Sequence, residues 1–534
     1  MSVPSHKGSA MRLQQLVISG VVSVFLASAA RADAPAGSGK VPTFSVEQLS
    51  VDGRVAGVNA ADLDGDGKLD LIAGVLKGSG DKTRRSLAVF WNRGGAFAGK
   101  PDLIIPLDAD VCAYDLADID GQPGAELLAI TATGVRAHSL ATRALGPTIN
   151  LVSQPTLFLR APRTELARYH VAQPLGPKGE LALLVPGLGT LSIYQRASVG
   201  APFVKRGQLD VEVEMAIEGG GRGERQSAQH GISELGVTAR FPSIDVADLD
   251  GDGRPDLLIA RDEHVRGYLQ AADGSFSNEP SFVHTFAVRP KGTDDAEPSP
   301  SADEEHDRNF SIQMRLLDID GDGRADAVIT TTKTAGISSA TTTVYLFFGT
   351  AKGFADQPDQ VIRTEGVNFV GTQIADLTGD GHPDLLIPSF KLSLFAIIRA
   401  LTAKSAKVKF LLYPFGAAER RFAEKPTAER SLTFKLSLEG GSDQQAVDMY
   451  GDFFGDKRLN LAFGEEEGVL SLYGAGAPGH IFADDPMSKV SVRGYGEVTP
   501  FDLEGAGRSD LVLHYPRSAG HESEIAVVHN HGVQ

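Results

Sequence analysis

The sequence predicts an all-β protein, a β-propeller of eight, or alternatively seven, four-stranded blades. Three features predict this fold. An acidic motif such as "DLDGDGKLD" recurs along the 534 residues, and an apolar run follows the clear copies. A phenylalanine tag such as "FAGKP" follows five of the copies, and runs rich in β-branched and aromatic residues lie between motif and tag. A unit of four short strands repeated along a chain is typical of a propeller.

Eight copies of the acidic motif set the number of blades. The clear copies begin at Asp62, Asp248, Asp318 and Asp376, weaker ones at Asp118, Asp452 and Asp502, and an eroded one at Ala172. Each unit reads as strand 1, acidic loop, strand 2, variable loop, strand 3, turn and strand 4. The count falls to seven if the Ala172 copy belongs to a neighbouring unit, so a separate four-stranded unit around Leu181–Val211 decides between the two counts.

The two ends of the chain predict how the ring closes. After Asp510 the sequence supplies strands 2 and 3 only, whereas "TFSVEQLS" is an unpartnered strand before the first motif. We therefore expect the N-terminal strand to complete the last blade, which leaves no open sheet edge there. An open array of β units is the alternative.

Composition and the N-terminal residues bound the class of protein. Residues 1–32 are predicted to be a secretory signal peptide, residues 33–41 a short linker and residues 42–534 the propeller. The apolar core of the signal is too short to span a bilayer, so no transmembrane anchor is expected after its removal. The net charge of −17 argues against a nucleic-acid partner. Cys112 is the only cysteine, so no intrachain disulfide can form, and we expect its side chain to be buried.

The acidic loop has the ligand pattern of a calcium site. Carboxylates at positions 1, 3, 5 and 9 can point to one centre, glycines at 4 and 6 allow the tight turn, and the carbonyl at position 7 can add an oxygen. Oxygen ligands without a cysteine or histidine cluster favour Ca²⁺ over zinc. The alternative is a solvated acidic turn without metal. The candidate ligands, with position 7 acting through its carbonyl, are Asp62, Asp64, Asp66, Lys68 and Asp70; Asp248, Asp250, Asp252, Arg254 and Asp256; Asp318, Asp320, Asp322, Arg324 and Asp326; and Asp376, Thr378, Asp380, His382 and Asp384.

The remaining loops depart from this pattern. The loop at Asp118 has Gln122 at position 5 and Glu126 at position 9, which leaves metal binding open. The loop at Asp502 has Ala506 at position 5, and the loop at Asp452 has Phe454 at position 3 and Asn460 at position 9. We expect these two loops and the Ala172 copy to be structural turns. An EF-hand is excluded throughout the clear copies, because position 12 lies in a β-like run and carries no glutamate.

The repeated D-x-D-G-D-G-x-x-D loops resemble the FG-GAP/VCBS repeat family, whose blades carry calcium loops, as integrin α-chain propellers do. The resemblance covers about residues 42–534. It implies a calcium-binding β-propeller, while its implication for function is broad, because the family includes adhesion modules, receptors, lectin-like proteins and some polysaccharide lyases.

The long insertions predict where a partner binds. Strand direction alternates within a blade, so the acidic loops and the turns between strands 3 and 4 share one face. The insertions fall on the opposite face, where variable loops on a rigid scaffold commonly serve recognition. One of them, near residues 391–404, has helical periodicity and predicts an amphipathic helix. Residues 222–231 and 293–307 are predicted to be mobile polar loops. The five insertions are Lys77–Arg85, Glu214–Arg240, Val288–Asn309, Thr331–Thr343 and Ser389–Lys407.

These features together predict an exported calcium-binding module that serves adhesion or another interaction. Its expected location is the periplasm, the cell surface or the cell exterior. Its ligand, a protein or a carbohydrate, would contact the long loops opposite the calcium loops. No G-x-S-x-G, H-E-x-x-H or phosphate-binding loop occurs, so an enzyme is not expected. The alternative is a propeller enzyme that acts on polysaccharide as a lyase or hydrolase.

Overall fold

The computed structural model describes residues 41–533 except for nine segments. The predicted signal peptide, nearly all of the predicted linker and the two predicted mobile loops lie outside the described residues. The segments left out are 159–164, 177–179, 220–234, 290–309, 336–338, 369–370, 392, 436–447 and 477–479.

The strands form eight four-stranded antiparallel blades, numbered here in chain order. Blades 1 and 2 contain β2 (Arg54–Ala61), β3 (Asp70–Lys77), β4 (Arg84–Phe90) and β5 (Leu103–Pro106), then β6 (Val111–Ala117), β7 (Glu126–Thr131), β8 (Gly134–His138) and β9 (Ile149–Ser153). Blades 3 and 4 contain β11 (Ala172–Pro174), β12 (Leu181–Gly187), β13 (Thr190–Gln195) and β14 (Val204–Asp210), then β17 (Ser243–Ala247), β18 (Asp256–Arg261), β19 (His264–Tyr268) and β20 (Phe282–Thr285).

The second half of the chain repeats this arrangement. Blades 5 and 6 contain β21 (Phe310–Leu317), β22 (Asp326–Ala335), β23 (Ser339–Phe347) and β24 (Gln360–Glu365), then β25 (Gln373–Ala375), β26 (Asp384–Phe390), β27 (Ser405–Tyr413) and β30 (Ala428–Lys435). Blades 7 and 8 contain β31 (Asp448–Gly451), β32 (Asn460–Glu466), β33 (Val469–Tyr473) and β34 (Ser488–Ser491), then β35 (Glu497–Phe501), β36 (Asp510–His514), β37 (Glu524–Val533) and β1 (Pro42–Ser50).

The prediction of eight blades is confirmed, and the alternative of seven is wrong. The eroded copy at Ala172 begins its own four-stranded sheet, which spans Ala172–Asp210. An eroded acidic motif does not prevent the blade from forming, because its strands retain the apolar residues that the core requires. In β12, six of seven residues are buried.

Eight apolar clusters lie between consecutive blades, one at each junction. At the junction of blades 5 and 6, for example, Val328 and Leu346 pack with Leu385 and Phe422. The cluster between blades 8 and 1 contains Leu503 together with residues of β1, β3 and β37. Each blade therefore buries both of its faces against neighbours, which accounts for the continuous apolar runs of the second strands. The eight clusters describe a closed ring.

The N-terminal strand closes this ring as predicted. β1 pairs antiparallel with β37 over eight registered residue pairs from Pro42↔Val533 to Ser50↔Glu524. Blade 8 takes its first three strands from the C-terminal end of the chain and its fourth from the N-terminal end. The edge of β37 is thereby paired, and the alternative of an open array is wrong.

The insertions on the face opposite the acidic loops have mixed structures. The predicted helix is present as α1 (Leu394–Thr402), capped by the Ser393 side chain, which accepts a hydrogen bond from the backbone N–H of Ala396. The segment predicted to be a long loop at Thr331–Thr343 is instead an extension of β22 and β23, whose register continues to Ala335↔Ser339. The segment forms strands because it contains consecutive threonines, and β-branched residues favour strands.

Several short strands and a 3-10 turn lie outside the four-stranded blades. β15 (Glu214–Gly219) and β16 (Leu235–Arg240) form a hairpin between blades 3 and 4, while β28 (Phe415–Gly416) and β29 (Arg421–Phe422) form one within blade 6. β10 (Ala167–Arg168) runs parallel to β6, and a 3-10 turn covers Gly80–Lys82. Cys112 is buried, as expected. Among the described residues, none of the helices has the length and apolar character that crossing a bilayer requires.

One half-buried carboxyl in the first strand of blade 4 predicts a pH dependence of stability. Burial raises the pKa of Asp245 to about 6. The folded protein therefore holds this proton more tightly than the unfolded chain, and the resulting stability is complete below about pH 4 and is lost as the pH rises through about 6. We expect Asp245→Asn to raise the free energy of unfolding by about 1–3 kcal/mol at pH 8 and to change it little at pH 4. Urea unfolding at both pH values, with the exposed Asp262→Asn as control, tests this, and equal effects at both pH values would contradict it.

Candidate metal centres

The clear acidic loops connect the first and second strands of blades 1, 4, 5 and 6. In blade 1 the loop runs from Asp62, directly after β2, to Asp70, the first residue of β3. The glycine at position 4 has the left-handed φ of 78° that the turn requires. A Cβ on Gly65 would also lie 2.5 Å from the carbonyl oxygen of Pro123 in blade 2. Glycine is thus needed here both for conformation and for the contact between blades.

The backbone of the loop orients its own carboxylates. The Asp62 carboxylate accepts hydrogen bonds from the N–H groups of Gly65 at 2.7 Å and Gly67 at 2.9 Å. The side chain at position 3, Asp64, accepts from the N–H of Asp66 at 3.2 Å, and Asp66 accepts from that of Lys68 at 3.0 Å. Blades 4 and 5 repeat these bonds, whereas blade 6 lacks the acid at position 3. These hydrogen bonds within the loop hold its carboxylates in a fixed arrangement.

Carboxylates converge in the loops of four blades. One oxygen from each of three acidic residues lies within 4.8 Å of the other two in every group. An all-oxygen set at this spacing fits a Ca²⁺ ion, which takes six to eight oxygens, and the residues present therefore fit the predicted metal. The groups are Asp62, Asp64 and Asp66; Asp118, Asp120 and Glu126; Asp248, Asp250 and Asp256; and Asp318, Asp320 and Asp326.

These groups refine the predicted ligand sets. The loop at Asp118, which the sequence leaves open, brings three carboxylates together. In blade 6, whose position 3 is Thr378, the described side chains do not form such a group of three. The backbone N–H of each position-7 residue donates to the carboxylate at position 5, as in the bond from Arg254 to Asp252 at 2.9 Å. The contribution of the position-7 carbonyls stays a prediction.

The acid at position 9 fastens the loop to the third strand of its blade. The Asp70 carboxylate accepts from the N–H of Leu63 at 3.0 Å and from that of Asn92 at 2.8 Å. The same pair of bonds is made in blade 8 by Asp510, whose loop is not expected to bind metal. Position 9 therefore has a structural role that does not depend on metal. The sequence predicts this residue only as a metal ligand.

Burial of the position-9 carboxyls changes their acidity. Burial raises the pKa of Asp70, Asp256 and Asp326 to about 6 in each case, while the two backbone N–H donors act in the opposite direction. Neighbouring carboxylates of the same loop raise it further. A divalent cation would relieve this repulsion, because a nearby positive charge favours the ionised form.

Blades 6 and 7 depart from this arrangement at position 9. The Asp384 side chain is completely buried, and its Oδ1 atom has no hydrogen-bond partner among the described residues. In blades 1, 4 and 5 the second donor lies two residues after the third strand. The corresponding residue of blade 6, Phe415, is paired with Phe422 in the β28–β29 hairpin. In blade 7, Asn460 accepts from the N–H of Phe453 at 2.7 Å, while its Nδ2 group lacks a partner in the described part of the chain. An amide can thus replace half of the carboxylate's role.

Backbone hydrogen bonds join the acidic loops of consecutive blades. At three junctions, between blades 1 and 2, blades 4 and 5, and blades 7 and 8, the N–H at position 8 of one loop donates to the carbonyl at position 1 of the preceding loop. This bond measures 2.7 Å from Ala125 to Asp62 and 2.8 Å from Ala325 to Asp248. Ordering of one loop by a metal would therefore act directly on the next blade.

Two arginines of neighbouring blades reach the acidic loops. The Nε atom of Arg143, in blade 2, lies 2.7 Å from Oδ2 of Asp64 in blade 1. Arg420, in blade 6, pairs with Asp320 in blade 5. These contacts join residues 79 and 100 positions apart in the chain. The sequence does not predict these contacts, because the acidic motif carries no signal for a partner so distant.

A buried polar cluster occupies the first strand of blade 2. The Asp115 carboxylate accepts from Arg168 Nε at 3.0 Å and from the N–H of Ala172 at 3.2 Å. Arg168 also donates to the carbonyl of Leu116, which holds β10 against β6. The paired and hydrogen-bonded charges give this cluster a structural role.

Comparison with known proteins identifies the repeat. A model of the FG-GAP-like repeat matches residues 62–122, 248–296 and 318–387. The chain thus contains FG-GAP-like repeats in three regions, and the resemblance predicted from the acidic loops is confirmed there. Integrin alpha-IIb of Mus musculus is 28% identical over 179 residues, which are 32% of this chain and 17% of that protein. The human protein gives the same identity over 16% of its length. The match therefore spans about a sixth of these relatives.

The chain is only loosely similar to solved structures. A lectin of Agrocybe aegerita, described as recognising non-reducing terminal N-acetylglucosamine, is 15% identical with a TM-score of 0.38, over 75% of this chain and 96% of that one. The V. cholerae biofilm matrix protein Bap1 is 12% identical with a TM-score of 0.27, over 91% of each chain.

Proposed function

We propose that this protein is an exported, calcium-stabilised β-propeller that serves as a binding module. The convergence of carboxylates in the loops of blades 1, 4 and 5 supports calcium binding more than any other observation. The FG-GAP-like repeats cover these same loops. Export rests on the N-terminal signal pattern of the sequence. The expected role of the protein is non-enzymatic.

The face opposite the acidic loops is proposed to contact the ligand. It carries α1, the extended β22–β23 hairpin and the β15–β16 hairpin, whereas the acidic loops lie in repeated turns. Exposed apolar side chains also occur there. Leu188, in the turn between β12 and β13, is 65% exposed, and Met215 on β15 is 52% exposed. Apolar side chains on variable loops are common anchors for a protein or carbohydrate ligand.

We expect substitutions on the two faces to affect ligand capture differently. Leu188→Asp combined with Met215→Asp should reduce the amount of ligand retained from the native cell envelope by at least about tenfold, because an interface anchor is often worth 1–2 kcal/mol or more. Leu145, in the turn between β8 and β9 on the acidic-loop face, is 43% exposed and supplies the matched control Leu145→Asp. All variants should melt within about 1–2 °C of the parent, since exposed substitutions change stability little. Equal capture by both variants would contradict the proposed face.

A further inference from the structure

Two arginines occupy equivalent positions in the ring. Arg143 follows the third strand of blade 2 and Arg420 the third strand of blade 6, and each reaches back to the acidic loop of the preceding blade. Arg143 Nη2 lies 2.6 Å from Oδ2 of Asp64 and 3.8 Å from Oδ2 of Asp66. Arg420 contacts the matching carboxylates, Asp320 and Asp322. The contacted loops belong to blades 1 and 5, which lie opposite each other in an eight-membered ring.

The surroundings of the two guanidinium groups also correspond. Both arginines have left-handed backbones, with φ of 58° and 49°, although neither is a glycine. Each guanidinium lies over the aromatic ring that follows the third strand of the blade it reaches, at 5.8 Å for Trp91 and 4.7 Å for Phe348. A backbone conformation that side chains disfavour, repeated with the same two contacts, indicates that both arginines are held in place.

The arginines are not needed to orient the acidic loops. Blades 4 and 5 have nearly the same loop sequence, "DLDGDGRPD" and "DIDGDGRAD". The N–H of Asp252 reaches Asp250 at 3.1 Å in blade 4, and that of Asp322 reaches Asp320 at 3.2 Å in blade 5. In the described part of the chain, no ion pair joins a cation of blade 5 to the blade 4 loop. Each loop also pairs its own position-7 arginine with its position-5 carboxylate, Arg254 with Asp252 and Arg324 with Asp322. The two loops therefore have the same shape with and without a guanidinium from the neighbouring blade.

We propose that Arg143 and Arg420 oppose calcium at the loops of blades 1 and 5, so that each of these two loops binds calcium more weakly than it would without the arginine of the neighbouring blade. The inference rests on the proposed calcium binding. A guanidinium hydrogen-bonded to a ligand carboxylate lies within about 5 Å of an ion on that carboxylate, and the repulsion corresponds to roughly a tenfold loss of affinity even in water. Asp64 and Asp320 are only 5% and 3% exposed, so screening by solvent is limited there.

The proposal gives the two arginines a role when calcium is scarce. Each guanidinium neutralises part of an acidic loop and joins it to the next blade, which a vacant loop of four carboxylates could not do alone. At higher calcium concentration the ion replaces this contact. Beside Arg420 a cleft of about 390 Å³, lined also by Phe348 and Thr350, offers room for the displaced side chain. Calcium would then fill the ring in two stages.

Calorimetric titration of the calcium-depleted full chain with calcium tests the proposal. The parent should show tight and weak sites, and Arg143→Met and Arg420→Met should each convert one weak site into a site about tenfold tighter. Both variants should also melt lower than the parent in chelator, since each loses its contact between blades. Arg143→Lys and Arg420→Lys keep the positive charge but lose the planar guanidinium that lies over the aromatic ring. The affected site should bind calcium with an affinity between those of the parent and the methionine variant.

The control is Arg196→Met. Arg196 lies on the same face, after the third strand of blade 3, with its guanidinium 5.3 Å from the Phe203 ring, and no ion pair with an acidic loop is found for it in the described residues. Arg196→Met should leave the calcium affinity of every site unchanged. Calcium binding that is equal or weaker in both methionine variants would overturn the role of the arginines while leaving calcium binding intact. A parent that binds no calcium would instead overturn the proposed function.

Discussion

Removal of calcium is expected to lower the melting temperature of the full chain by about 5–10 °C, and added calcium should restore it. Each site that binds only the folded state contributes about 2.7 kcal/mol when calcium is at 100 times its Kd, and at least three loops bring the required carboxylates together. For a chain of this length, several kcal/mol correspond to several degrees. Calorimetry in chelator and in millimolar calcium measures the difference. Metal analysis should find three to five calcium ions per chain.

Matched variants separate loss of calcium from loss of structure. Asp252, at position 5 in blade 4, accepts from the N–H of Arg254 at 2.9 Å, and Asp456, at position 5 in blade 7, accepts from that of Arg458 at 3.1 Å. Asp252→Ala should remove part of the stabilisation by calcium, as should Asp64→Ala and Asp320→Ala, whereas Asp456→Ala should not. A melting curve indifferent to chelator and to Asp320→Ala would show that the loops are acidic turns without metal.

The sequence suggests Asn460→Ala as a control, because its loop has lost two metal positions, and the structure shows why this choice is poor. Asn460 is completely buried and accepts a hydrogen bond from the N–H of Phe453. Its replacement would cost stability whether or not calcium binds, since a buried donor would lose its partner. Asp456 is the better control, because its side chain is exposed.

The parts of the fold that depend on local patterns could be predicted from the sequence. The acidic loop needs its glycines and carboxylates at fixed spacing, so its eight copies count the blades directly. The apolar runs between motif and tag are continuous because both faces of a blade are buried, as the full burial of β7 from Glu126 to Thr131 shows. The unpaired strand before Asp62 indicated closure, since a ring with one open edge is unfavourable.

The parts that depend on contacts between blades could not be predicted in this way. Arg143 lies in a turn whose sequence does not differ in kind from other polar turns, and only the ring places it on Asp64. The double role of Asp70 was hidden for a similar reason, because its second donor, Asn92, is 22 residues away, just after the third strand of the blade. A sequence motif predicts the ligands within its own loop, but it does not predict the residues of other blades that contact the loop.

Removal of β1 is expected to have the largest effect of any change considered for the ring. A chain that lacks residues 42–50 would leave β37 with an unpaired edge and would remove Leu49 from the cluster between blades 8 and 1. Eight registered residue pairs, two buried side chains and four half-buried ones contribute on the order of 5–10 kcal/mol, which is comparable to the whole stability of a typical domain. We therefore expect this chain to aggregate or to unfold without cooperativity, because an exposed edge strand pairs with other chains.

A chain that lacks only residues 1–40 keeps β1 and is the matched control, expected to remain monomeric and to melt cooperatively. Single substitutions grade the effect. Leu49 is 1% exposed, so Leu49→Ala should cost about 2–5 kcal/mol, whereas Val41→Ala, at a residue that is 48% exposed, should cost less than about 0.5 kcal/mol. Size-exclusion chromatography and thermal unfolding measure both series. A chain without β1 that is monomeric and has the same melting temperature as the control would refute this expectation. Blade 8 would then be stable with three strands, and the N-terminal strand would not be needed to close the ring.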